Sequence, residues 1–185
     1  MLNEVGIEKA HFVGISLGTI LIRELAEAYP ERMQSMVLAG AVIRLTPRLH
    51  FLIGIANAFK KIVPFMWLYR LFAWILMPKK THETSRSLFV QEAKKIKQKE
   101  FLRWLTLTGD IAKYLIKINE KESDVPCLYI MGEEDYVFLE PVKRLVKQFR
   151  NTELSVLENS GHVCNVDQAQ KFNEVSLNFL NNCIS

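Results

Sequence analysis

Residues 10–28 read AHFVGISLGTILIRELAEA, and the path of the chain follows from them. Residues 10–13 (AHFV) form a short apolar run that stops at a glycine, as a buried parallel strand does. Residues 19–28 carry apolar side chains at 21, 22, 25 and 28, a helical stripe that Tyr29-Pro30 closes. Between them stands Gly14-Ile15-Ser16-Leu17-Gly18, a G-x-S-x-G pattern in a strand–turn–helix context. A turn this tight predicts a strained backbone at Ser16 and no room for side chains at Gly14 and Gly18. It would hold Ser16 clear of the sheet at the start of a helix, with the Leu17 backbone N–H free to face a developing oxyanion. The same residues also fit an ordinary helix N-cap at Ser16 flanked by turn glycines.

The alternation of strand and helix continues on both sides of the middle. Residues 36–39 (MVLA) read as a second buried strand and complete a βαβ unit, whose crossover should be right-handed. Near the other end, CLYIM at 127–131 and LSVL at 154–157 read as strands. A helix is expected around 140–149 and a closing helix around 168–181, with Phe172, Val175, Phe179 and Leu180 on one face. The fold class is therefore α/β with a parallel sheet.

Residues 43–119 contain no comparable strand. Their helical spacing, broken at Pro47, Pro64 and Pro78, predicts three to five helices inserted between two strands of the sheet. Charge marks the same segment as a separate unit. The chain carries +4 overall, yet residues 43–104 hold 13 Lys or Arg against three Glu, so this stretch is +10 and the remainder −6. Its aromatics, Phe59, Phe65, Trp67, Tyr69, Phe72 and Trp74, suit either the packed core of the insertion or an apolar substrate. The apolar run at 62–77 is too short, and too interrupted by Pro64 and Arg70, to span a bilayer. With its neighbouring lysines it could instead make weak contact with an anionic membrane surface. The N-terminus lacks the apolar region of a signal peptide and reads as the tail of a helix. Cys127, Cys164 and Cys183 have no metal-ligand spacing and are expected to be reduced thiols in a cytoplasmic compartment.

A serine nucleophile needs a base and an orienting acid. Of four histidines, His11 falls inside the first strand, and His50 and His82 lie in the basic middle, where a solvated position is expected. His162 follows a strand directly in the loop ENSGHVCN, where it could meet Ser16 above the sheet. Asp135 follows the strand CLYIM and is the preferred acid, with its neighbours Glu133 and Glu134 as alternatives and a helix-capping role also open to it. The chain order is then Ser16, Asp135, His162, each just past a strand end.

With that order the sequence resembles the α/β-hydrolase superfamily, in its single-domain form with a helical cap. The matching stretches are GIEKAHFVGISLGT, AEAYPERMQSMVLAG, DVPCLYIMGEED and ENSGHVCNVDQAQKFNEVSLNFL. The resemblance implies a hydrolase core at 1–42 and 120–185 and a cap at 43–119. It implies a triad of Ser16, Asp135 and His162, with Leu17 N–H as half of the oxyanion hole. A serine at position 16 separates the chain from the branches that use aspartate or cysteine there. The family usually places roughly 80 or more residues before this elbow, including the loop with the second oxyanion donor. The chain is thus expected to correspond to the C-terminal part of that fold, with about four parallel strands and an exposed apolar edge. The implied reaction is hydrolysis of a small ester-type substrate (carboxylester, thioester or lactone) without metal or cofactor. Nothing in the sequence implies a nucleic-acid partner, and it leaves the oligomeric state open.

Overall fold

In the computed structural model the described residues are 2–59, 62–119 and 121–183. The chain alternates strand and helix: β1 (Ala10–Ile15), α1 (Gly18–Ala28) and β2 (Met33–Ala39) come first. Four helices follow, α2 (Pro47–Phe59), α3 (Phe65–Leu76), α4 (Glu83–Ala93) and α5 (Gln98–Ile118). The remainder is β3 (Cys127–Gly132), α6 (Leu139–Val146), β4 (Thr152–Leu157), α7 (Cys164–Asp167) and α8 (Ala169–Asn182). The N-terminal residues form a 3₁₀ turn at Asn3–Val5 ending in a left-handed Gly6, in place of the expected helix tail. This stretch buries none of those three residues, so no packing lengthens the turn.

All strand pairs are parallel, in the order β1-β2-β3-β4. Register puts alternate residues on opposite faces. Met36 and Leu38 of β2, with Tyr129 and Met131 of β3, pack under α1, α6 and the inserted helices. Val37, Ala39, Leu128 and Ile130 face the other way, against Phe172 and Phe179 of α8. The central strands are thus buried on both faces, which is why they read as unbroken apolar runs. β1 sits at an edge of the sheet, and Val13 and Ile15, in register with Val37 and Ala39, remain substantially exposed on the α8 side. This is the exposed apolar edge expected from the sequence.

The prolines act as punctuation in the insertion. Pro47 opens α2, Pro64 caps α3, and Pro78 follows the end of α3. No helix among the described residues is long and apolar enough to cross a membrane.

Candidate active site

Ser16 ends the β1 turn with φ +54°, a left-handed conformation that serine rarely adopts. The strain is held from several sides. Its N–H donates to the Ala39 carbonyl at 2.9 Å, and its carbonyl accepts the Thr19 hydroxyl at 2.5 Å. Gly14 leaves the space the turn needs: a Cβ there would lie 2.5 Å from Ile22 Cδ1 and 3.0 Å from the Gly18 backbone. Gly18 does not bear out the same expectation, because a Cβ on it would meet nothing within 4 Å. It begins α1 with its Cα facing open space. The helix N-cap is Leu17, so Ser16 is not in the capping position.

The three residues singled out in the sequence converge. Ser16 Oγ lies 2.9 Å from His162 Nε2, and His162 Nδ1 lies 2.8 Å from Asp135 Oδ2. An ionised carboxylate can only accept, so this arrangement fixes the proton on Nδ1 and leaves Nε2 as the acceptor facing the serine hydroxyl. Asp135 is fully buried and His162 nearly so. The other carboxylate oxygen, Oδ1, accepts the N–H groups of Val137 and Phe138 at 3.2 and 3.0 Å. The capping role open to Asp135 and its contact with the imidazole are therefore both occupied, one per oxygen. The Phe138 ring lies 5.1 Å from the imidazole and closes one side of it. Leu17 is the N-cap of α1, and its N–H has no acceptor within the helix.

Backbone packing welds the loops that carry these groups. Glu134 N–H donates to the Ser160 carbonyl at 2.9 Å. A Cβ on Gly132 would fall 2.1 Å from the Gly161 carbonyl oxygen, and one on Gly40 would fall 2.4 Å from that of His162. These glycines let three strand-end loops touch above the sheet.

The other candidates are placed elsewhere. Glu133 is exposed, and His11 binds the Ser35 hydroxyl at 2.7 Å within the sheet. His50 is exposed, as expected. His82 is not: it is wholly buried, with Nε2 2.7 Å from Glu134 Oε2 in a contact off the hydrogen-bond direction. The chain at Lys80–His82 folds over the Asp135 loop, so tertiary packing overrides the polar, basic context that suggested solvation. Lys79 reaches the other oxygen of Glu134 at 2.5 Å. Burial would raise the Glu134 carboxyl, but the Lys79 ammonium and His82 outweigh it and hold the group below its ordinary range. Glu134, weighed only as an alternative acid, thus ties the insertion to the loop beside Asp135. Burial pushes the thiols of Cys127 and Cys164 up to about 12, which suits inert side chains. The described residues contain no cluster of three or more side chains able to hold a metal ion.

The parallel sheet, the strained serine turn and the Ser16–His162–Asp135 chain of contacts define a hydrolase-type α/β fold. The family model for the alpha/beta hydrolase fold matches residues 1–169, and the chain belongs to that family. A 2-hydroxy-6-oxononadienedioate/2-hydroxy-6-oxononatrienedioate hydrolase of Paraburkholderia phymatum is 28% identical over 97% of the chain. An uncharacterized carboxylesterase of Bacillus subtilis is 23% identical over 98% of it. The chain spans 65% and 60% of the lengths of these two relatives. Among solved structures, an alpha/beta hydrolase enzyme from a Medee basin deep-sea metagenome library superposes with a TM-score of 0.74. That likeness carries 24% identity and covers 97% of this chain and 68% of the other.

Proposed function

We propose that the chain carries the catalytic triad of a serine hydrolase that cleaves ester-type bonds of small substrates, with residues 43–119 as its cap. The observation that carries this reading is the continuous contact from Ser16 Oγ through the imidazole of His162 to buried Asp135. His162 Nε2 takes the Ser16 proton as Oγ attacks the substrate carbonyl carbon, and Asp135 stabilises the resulting imidazolium. The Leu17 N–H donates to the oxyanion. Collapse of the tetrahedral species expels the alcohol or thiol, which takes the proton back from His162. Water then attacks the acyl-serine by the same route in reverse, releasing the acid and restoring Ser16. No metal or cofactor takes part in these steps. The three free cysteines fit a reducing, cytoplasmic location.

The Paraburkholderia relative supports a second reading, hydrolysis of a carbon–carbon bond in an anionic oxo-dienoate, which the +10 charge of residues 43–104 would attract. One comparison separates the two. The ester reading predicts turnover of p-nitrophenyl acetate and butyrate that vanishes in Ser16→Ala. Turnover of a 2-hydroxy-6-oxo-dienoate with inert esters would replace it by the second. Activity unaffected by Ser16→Ala would remove both.

A further inference from the structure

Helix α3 has two apolar faces and buries one. Phe65 and Tyr69 turn inward, with ring centroids 5.6 and 5.9 Å from Phe101, and Tyr69 lies 5.0 Å from Phe89. Ala73 and Leu76 are buried beside them. The opposite stripe holds Trp67, Arg70, Leu71 and Trp74, spaced i, i+3, i+4 and i+7, and all four are exposed. Trp67 is 67% exposed and Trp74 59%. Ile62, just before the helix, is 79% exposed. A contiguous apolar stripe of this kind on a protein surface marks an interaction site.

Charge identifies the occupant. Helix α3 contains no Asp or Glu, and its exposed stripe carries Arg70. The Arg86 guanidinium lies 5.1 Å from the Trp74 ring centroid, adding a cation at the end of the stripe. The outer stripe of α3 carries Arg70 and borders Arg86 but holds no Asp or Glu of its own, and an anionic lipid layer supplies the counter-charge. Tryptophan with basic neighbours on one helix face is the composition that settles at the level of lipid headgroups.

We infer that the outer face of α3 docks on an anionic membrane surface through Trp67, Leu71 and Trp74, with Arg70 and neighbouring cations engaging phosphate. The helix lies along the surface and does not span it. This inference is independent of the triad, because it uses no residue near Ser16.

Co-sedimentation of the full chain with vesicles tests it. Binding should be weak on phosphatidylcholine alone and rise on the order of tenfold when phosphatidylglycerol is included. Trp67→Glu/Trp74→Glu should abolish it while circular dichroism and the melting temperature stay unchanged, since both side chains are outside the core. Raised salt should release the wild-type chain. Equal binding to neutral and anionic vesicles, or undiminished binding by the double variant, would overturn the inference. So would a concentration-dependent dimer in sedimentation velocity that the same double variant dissolves, since the face would then belong to a second copy.

Discussion

His82 is wholly buried, and its Nε2 stands 2.7 Å from Oε2 of Glu134, the residue immediately before Asp135. The His82 ring also lies against Gly161, where a Cβ would come within 3.0 Å of it, immediately before His162. One side chain from the inserted segment therefore touches both loops that carry the imidazole–carboxylate pair. The insertion is fastened to the site at its base.

Removing the carboxylate should loosen that fastening. Glu134→Ala removes the carboxylate packed 2.7 Å from the buried His82 ring and opens a gap between the two segments, and the loss of such a buried polar contact costs about 1–3 kcal/mol. Urea unfolding should show a loss of that order. Glu133→Ala, one residue away and exposed, should change stability by less than about 0.5 kcal/mol.

The same cluster gives stability a pH dependence. The folded protein holds Glu134 below its ordinary value, so its contribution is fully present above the ordinary carboxylate range. It is lost as pH falls through the lowered folded-state value. Lys79 is raised by its hydrogen bond to Glu134, so its share is present below its ordinary value and fades as pH rises through the raised one. Melting temperatures of wild type and Glu134→Gln should therefore differ most near neutrality and converge in acid. A gap that widens as pH falls would contradict this.

Glycines near the site should divide sharply. Gly132→Ala drives a methyl to 2.1 Å from a backbone oxygen that cannot rotate away, so the variant should be strongly destabilised or fail to fold. Gly18→Ala enters open space at the start of a helix and should be neutral or gain up to about 1 kcal/mol. Thermal denaturation of the two variants checks both.

Much of this was legible in the sequence because buried parallel strands and a strand–turn–helix motif leave local signatures. Ser16, Asp135 and His162 each follow an apolar run, and the structure brings them within hydrogen-bond reach. β4 begins two residues earlier than its apolar run, since Thr152 and Glu153 pair with β3 through backbone groups that side-chain polarity does not reveal. The roles of His82 and Glu134 were illegible for a different reason. Nothing periodic marks a polar residue that becomes buried when one segment folds over another, and a 3₁₀ turn at Lys80–His82 sets the placement. The aromatics of α3 were ambiguous between core and surface, and they divide: Phe65 and Tyr69 pack inward while Trp67 and Trp74 face out.

Within the proposed triad, Asp135→Asn should keep the fold but weaken the acceptor that orients His162. A fall in ester turnover on the order of 10⁴-fold is expected, by analogy with the matching change in a serine protease. Stopped assays with p-nitrophenyl butyrate measure it, and a fall of less than about tenfold would argue for a different acid.

Whether Ser16 is a nucleophile activated by His162 is decided by mass-spectrometric mapping of a fluorophosphonate adduct. A single adduct on Ser16 is expected, absent in Ser16→Ala and strongly slowed in His162→Ala. An unlabelled Ser16, in this chain and in any longer form containing it, or labelling indifferent to His162, would contradict that role.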